Sequence, residues 1–315
     1  MTYSGKIKEE ISKINADKIE YISMLSGILC TNADIKLYSI KVQTENLNAA
    51  NTIFKIVKEV YNVTCNITVK KNYNFKKNEV YIIEIKKSVP EILKDIGLIN
   101  ETGFVINNIP RDEIVADLDL KSAFIRGSFL IGGSVNDPKT SRYHLEIIVQ
   151  NADMANFLKD LINSYNLNSK VLRRKKGYMV YIKESEKISD FLKMIKAFNG
   201  VMYYEDIRSY REKINLNNRI NNCEQANVEK SMASSNRQIK DIEIIKAYDA
   251  YDLLDDKVKV VAEYRIKYPE SSLIELSEII SVETKNKITK SCVNHRLRKI
   301  KELAEKLKKK EWLYE

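Results

Sequence analysis

The 315-residue sequence has few of the residues that interrupt regular structure. It contains only 4 prolines and 9 glycines, so we expect helices and strands to form most of the chain. It has no apolar run near the roughly 18 residues that a membrane span requires. Its first segment, Met1–Lys13, is charged and polar, unlike an apolar leader. We therefore predict a cytoplasmic protein that is neither secreted nor bound to a membrane.

Residues that bind metals and cofactors are also scarce. No two cysteines show a C-x-x-C spacing, and the cysteines and histidines together are Cys30, Cys65, Cys223, Cys292, His144 and His295. This set predicts free thiols in a reducing compartment and argues against a structural zinc site. No glycine-rich phosphate-binding loop is present, so the sequence predicts no cofactor.

Positive charge is in excess and unevenly distributed. The formal net charge is +10, which suits a partner such as nucleic acid or a membrane surface but also an ordinary basic protein. The segment from Lys285 to Lys310 holds eleven lysines and arginines against Glu302 and Glu305, a local net charge of +9. Such clustering is typical of a contact with a polyanion and favours nucleic acid.

The first two thirds of the chain contain a repeat with an offset of about 100 residues. Its copies start near Ile22–Cys30 and Ile125–Val135, and the apolar spacing after each start predicts the order αββαββα. Neither copy could cover its sheet alone. We therefore predict one pseudo-symmetric α+β domain over residues 1–205, with repeats at about 1–100 and 110–205, paired through their first helices.

The last third is predicted to be helical. The Asn-rich segment 206–240 has no proline or glycine and should form either a long polar helix or an extended linker. Residues 241–315 then predict an all-α domain with helices at Lys246–Leu254 and Asp256–Tyr268, the second ended by Pro269. Ser272-Leu-Ile-Glu275 has the pattern of a capping box and opens a short helix.

A basic loop and a long helix from about Lys290 to Trp312 complete a helix-turn-helix layout. At roughly 100° per residue, one side of the long helix is apolar and should pack on the preceding helices: Val293, Leu297, Ile300, Ala304 and Leu307. Arginine suits guanine and asparagine suits adenine, whereas lysine and serine suit phosphates or base edges, and helix N-termini attract phosphates. We predict DNA contacts from Lys290, Ser291, Asn294, His295, Arg296, Arg298, Lys299 and Lys301.

The repeat resembles the LAGLIDADG homing endonucleases. Ile125–Val135 is similar to their central helix, with Gly127 at the close-packing position, and Ile22–Cys30 resembles a degenerate first copy. In an active nuclease of this kind, each helix ends in an acidic residue that holds a divalent cation. We expect Leu29 and Gly132 at these positions, where neither can bind a metal. The resemblance therefore implies a nuclease scaffold without metal or nuclease activity.

The whole chain resembles the WhiA family of bacterial sporulation and cell-division regulators. The similar stretches are Ala123–Pro138, Asn217–Asn227 and Ser272–Leu303. The resemblance implies a degenerate LAGLIDADG domain, a linker and a helix-turn-helix like region 4 of sigma factors. Two departures are a longer, more basic turn at Ser281–Ile288 and Cys292 in place of the usual glycine, and the first puts the placement of the two helices in question.

Three functions remain open from the sequence. The first is a nucleoid-associated transcription regulator that binds promoters, together with RNA polymerase, a sigma factor or another regulator, and affects sporulation, division or chromosome segregation. The second is a chromosome-organising or scaffolding protein that acts through protein partners. The third, an active DNA endonuclease, is disfavoured because the expected acidic residues are missing.

Overall fold

The structure is a computed structural model, and it describes residues 1–72, 78–99, 107–140 and 142–311. The chain forms two compact units, Met1–Glu212 and Lys213–Glu315, and residue contacts are much denser within each unit than between them. Each unit buries its own cluster of apolar side chains. The predicted α+β domain followed by a helical region is confirmed.

The first unit contains the predicted duplication. One repeat comprises α2 (Lys18–Asn32), β1 (Ala33–Lys36), β2 (Ser39–Thr44), α3 (Leu47–Tyr61), β3 (Asn66–Asn72), β4 (Asn78–Ile85) and α4 (Val89–Asp95). The other comprises α5 (Leu118–Gly132), β5 (Gly133–Val135), β6 (Leu145–Val149), α6 (Ala152–Asn163), β7 (Lys170–Arg173), β8 (Tyr178–Ile182) and α7 (Ser185–Met194). Both have the order αββαββα.

The two sheets have the same topology. Each has four antiparallel strands, in the orders β1-β2-β4-β3 and β5-β6-β8-β7. In each sheet the strand that follows the first helix lies at an edge, next to a central strand with alternating burial. This alternation places one face of each sheet on the shared core and leaves the other face more exposed to solvent.

Helices α2 and α5 form the centre of the first unit. Asp17 and Asp117 cap them in the same way, because each carboxylate accepts a hydrogen bond from the backbone N–H three residues later. A Cβ atom added to Gly27 would overlap the carbonyl oxygen of Phe124, and one added to Gly127 would overlap that of Met24. The predicted pairing of the repeats through these helices is therefore confirmed, with backbone against backbone.

An additional helix precedes the first repeat. It is α1 (Tyr3–Ser12), capped by the Thr2 side chain, and it was not predicted from this charged and polar segment. Tyr3, Ile7 and Ile11 are buried, and their spacing of four residues is a helical signal. The Tyr3 hydroxyl donates to the carbonyl oxygen of Gly200, so α1 belongs to the core of this unit.

The polar segment is helical, and its helix is longer than predicted. Helix α8 runs over 50 residues from Phe198 to Ala247, so of the two alternatives the helix is correct. The separate helix predicted at Lys246–Leu254 is wrong. The backbone of Asp249 has a φ of 52°, which ends the α-helical path, and only a 3₁₀ turn, Tyr251–Leu253, follows.

The second unit packs three further helices against the end of α8. They are α9 (Asp256–Lys267), α10 (Leu273–Glu283) and α11 (Lys290–Glu311). Its core includes Ile242 and Ile245 of α8 together with Val261 of α9 and Leu276 of α10. The distribution of apolar residues thus makes the end of α8 part of the helix-turn-helix unit.

We expect Gly127→Ala to lower the free energy of unfolding of the first unit by about 2–3 kcal/mol, because overpacking at a backbone contact forces the helices apart. Urea unfolding followed by circular dichroism would measure this loss. Gly5→Ala is the control: its Cβ would meet no backbone atom of another element, but only side-chain atoms of Met1, with Cγ at 3.0 Å, and of Thr2, with Oγ1 at 3.2 Å. Equal stability of both variants would contradict the close packing.

Candidate nucleic-acid interface

Helix α10 begins with the predicted capping box. The Ser272 hydroxyl accepts from the Glu275 backbone N–H at 3.2 Å, and the Glu275 carboxylate accepts from the Ser272 backbone N–H at 2.7 Å. These two bonds satisfy N–H groups that a helix start otherwise leaves unpaired. The start of α10 is therefore fixed by four consecutive residues.

The chain before α10 is held by a buried arginine. Arg265 is 1% exposed, and its Nη1 donates to the Ser271 carbonyl oxygen at 2.7 Å and to the Ser235 hydroxyl at 3.3 Å. The Ser235 hydroxyl in turn donates to the carbonyl oxygen of Pro269. Because one guanidinium joins α8, α9 and the segment before α10, it positions the first helix of the motif.

The basic turn between α10 and α11 is also held in place. The Ser281 hydroxyl accepts from the Ile288 backbone N–H at 2.9 Å, and Lys285 adopts a φ of 56°, a conformation that reverses the chain after α10. Thr289 then caps α11 by accepting from the Cys292 backbone N–H at 3.3 Å. The longer loop thus joins the two helices through defined bonds.

Helix α11 has the two sides that the sequence predicts. Val293, Leu297, Ile300 and Ala304 are at most 4% exposed, and Leu307 packs against the same cluster while half-buried. Seven of the eight predicted contact residues are exposed: Lys290, Ser291, Asn294, His295, Arg298, Lys299 and Lys301. Arg296 is half-buried, so it is less accessible than the others.

The cations of α11 differ in their pairing. Lys299 lies 3.5 Å from a carboxylate oxygen of Asp255, and Lys301 lies 3.7 Å from one of Glu305. Within the described parts of the chain, Lys290, Arg296 and Arg298 form no ion pair. Exposed pairs contribute at most about 1 kcal/mol, so all of these cations remain available to an external anion.

Sequence reasoning missed part of this surface. Arg237 and Lys240 of α8 border a groove of about 470 Å³ whose other wall carries Asn294, Arg298 and Lys301 of α11. From the sequence, residues 206–240 are predicted only to be a polar helix or an extended linker, because their repeated asparagines give no helical facing. The charged residues near its end, followed by Ile242 and Ile245 at helical spacing, are the signal that could have placed this segment in the unit.

The end positions of the paired helices differ from the prediction in one repeat. Leu29 is buried inside α2 and lies three residues before its end, so its assignment as a helix-end position is wrong. Helices α2 and α5 both have 15 residues and meet at Gly27 and Gly127, so the residue equivalent to Gly132 is Asn32. The Asn32 side-chain oxygen accepts from the Gln150 amide at 2.9 Å.

Neither helix end therefore carries a carboxylate. Asp34 lies exposed on β1, and Asp137 receives the Tyr203 hydroxyl at 3.3 Å. Within the described ranges, no three side chains of histidine, cysteine, aspartate or glutamate are grouped as a metal site would require. The residues at the helix ends do not fit a catalytic divalent cation, which needs oxygen ligands that carry charge.

We compared the chain with protein families and known structures. Three family models match: the WhiA N-terminal LAGLIDADG-like domain over residues 20–99, the WhiA LAGLIDADG-like domain over 121–213 and the WhiA C-terminal HTH domain over 217–304. A protein of Staphylococcus epidermidis named probable cell division protein WhiA is 39% identical over 312 residues, 98% of both chains. The chain belongs to the WhiA family.

Other WhiA proteins extend this result. A Staphylococcus aureus protein with the same name is also 39% identical over 98% of both chains. The crystal structure of full-length WhiA from Thermotoga maritima matches with a TM-score of 0.59 and 26% identity, over 97% of this chain and 99% of that one. The family assignment thus covers both the LAGLIDADG-like unit and the helix-turn-helix unit.

The described helices also bear on the membrane prediction. None of them combines the length and the apolar composition needed to span a bilayer.

We expect Ser272→Ala to lower the free energy of unfolding of the second unit by about 1 kcal/mol, because the capping bond to the Glu275 N–H is lost. Thermal unfolding of the full chain, with a probe in this unit, would measure it. Ser271→Ala is the control, since no described residue is bonded to the Ser271 hydroxyl. A similar loss in both variants would argue against the capping box.

Proposed function

We propose that this WhiA protein is a sequence-specific DNA-binding transcription regulator without nuclease activity, acting in cell division, chromosome segregation or sporulation. The observation that carries the proposal is the exposed row of Asn294, Arg298 and Lys301 on a helix whose opposite side is buried in the core. The name of the staphylococcal relatives, probable cell division protein WhiA, supports a role in division.

DNA recognition would use two kinds of contact. Lys290, Lys299 and Lys301 bind phosphates, which fixes the register of α11 on the duplex and makes affinity depend on salt. Ser291, Asn294, His295 and Arg298 face base edges in the major groove, where asparagine and arginine can make paired hydrogen bonds. Arg296, half-buried, supports the helix from its edge and reaches a phosphate with its guanidinium.

The LAGLIDADG-like unit has a non-catalytic role in this proposal. Asn32 and Gly132 stand at the ends of α2 and α5, and neither supplies the charged oxygen that a hydrolytic metal centre needs. The unit offers a surface for a protein partner such as RNA polymerase or a sigma factor, while the helix-turn-helix brings the protein to promoters on the nucleoid.

We expect Arg298→Ala to weaken binding to a preferred duplex by about 1–3 kcal/mol, while binding to random DNA changes much less. The duplex would come from in vitro selection with the full protein, and fluorescence anisotropy would measure both affinities. Lys301→Ala should weaken both duplexes alike and reduce the slope of log K against log salt by about 1.

Arg219→Ala is the control for this pair, since Arg219 is an exposed arginine of α8 outside the proposed contact set. It should leave both affinities unchanged. Equal weakening of preferred and random DNA by Arg298→Ala would show that α11 does not read bases.

We expect no cleavage of supercoiled or selected linear DNA by the purified protein in Mg²⁺ or Mn²⁺, because the helix ends lack carboxylates. Agarose gels over a long time course would show this, with binding of the selected duplex as the control for active protein. Metal-dependent nicking that disappears in Asn32→Ala would overturn the non-catalytic assignment.

A further inference from the structure

A second polar cavity lies in the first unit, next to the end of α2. It has a volume of about 630 Å³. Most of its polar lining consists of hydroxyl and amide side chains, including Ser4, Asn32, Gln43, Thr44 and Ser134. Side chains of this kind donate hydrogen bonds without adding charge. The cavity can therefore hydrogen-bond a ligand, and its net charge is set by its few ionisable side chains.

Among the described residues that line this cavity, Lys8 of α1 is the one cationic residue. Its Nζ lies 6.0 Å from the centre of the Phe129 ring, an apolar surface that offers much weaker stabilisation than a carboxylate. Within the described ranges, Lys8 forms no ion pair or hydrogen bond to a side chain. Burial lowers the pKa of the Lys8 ammonium from 10.5 to about 8.

Glu45 is the single carboxylate in the described lining. Its side chain is exposed, so solvent screens its charge more strongly than that of the half-buried Lys8. At neutral pH the more enclosed part of the cavity therefore carries positive charge. An anion there would offset the desolvation of the ammonium, as buried charges require a partner to be stable.

A related arrangement occurs in a second cavity beside the same helix end. This cavity of about 480 Å³ is bordered by Asn32, Gly132, Gln150 and Lys176. Lysine and amide side chains thus line both cavities, which share Asn32. This chemistry repels divalent cations and suits oxygen atoms that carry negative charge.

We infer that the cavity around Lys8 binds a small oxyanion ligand, one with a phosphate or carboxylate group, with Lys8 as its charge partner. Amide and hydroxyl groups of Asn32, Gln43 and Ser134 would supply the neutral hydrogen bonds. The site belongs to the first unit and is independent of the helix-turn-helix, so it gives the LAGLIDADG-like unit a ligand-binding role distinct from DNA recognition.

Isothermal titration of the full-length protein with phosphate and, separately, with citrate would test the site, with chloride at matched ionic strength as the reference. Binding of phosphate alone identifies a phosphate ligand, and binding of citrate alone identifies a carboxylate ligand. Lys8→Met should lower the affinity for the anion by about tenfold or more, equal to at least about 1.4 kcal/mol. Lys8→Arg, which keeps the charge, should retain binding within about threefold.

Lys6→Met is the matched control, because Lys6 is an exposed lysine of the same helix that does not line this cavity. A readout without any variant is the ¹³Cε chemical shift of Lys8 in wild-type protein, which the anion should move while that of Lys6 stays constant. The inference is overturned if neither anion binds, if Lys8→Met binds like wild type, or if Lys8→Met weakens only duplex DNA, which would assign Lys8 to a DNA phosphate.

Discussion

The backbone contact between α2 and α5 is the constraint on which the first unit depends. Gly27 and Gly127 allow the two helices to approach until each lies against a carbonyl oxygen of the other. The Ser128 hydroxyl reinforces the contact by donating to the Gly27 carbonyl oxygen at 3.2 Å. Because this contact fixes the distance between α2 and α5, the two repeats pack around one shared core.

The duplicated fold and the pairing of its first helices could be predicted from the sequence, because the same apolar periodicity recurs with an offset of about 100 residues. The capping box at Ser272 and the buried side of α11 were predicted for the same reason: each is a local pattern with a local cause. Helix α1 was missed since its lysines and glutamates mask three buried residues at helical spacing. The break after Ala247 was missed because no proline or glycine marks it, and Asp249 takes the left-handed conformation instead.

The candidate site shows the same division between local and distant causes. The exposure of Asn294 and Arg298 follows from the helical facing alone. The groove they share with Arg237 and Lys240 depends on how α8 packs on α11, which no pattern within either segment specifies. Likewise, Leu29 was taken for a helix end because the degenerate first copy has no acidic residue to fix its register; only its pairing with α5 identifies Asn32. Both the groove and the position of Asn32 depend on tertiary contacts, which local sequence patterns do not specify.

The α2–α5 contact also determines the order in which this protein can acquire structure. The bond from Ser128 to Gly27 spans 101 residues of sequence, so the side of α2 that faces α5 has no partner until the second repeat has been made. At about 5–20 residues per second, a ribosome needs roughly 5–20 seconds to bridge that interval. During it the first repeat exposes the side of α2 that α5 later covers, and closing so long a loop is intrinsically slow. The first repeat therefore depends on the second for its folding, although it is synthesised before it.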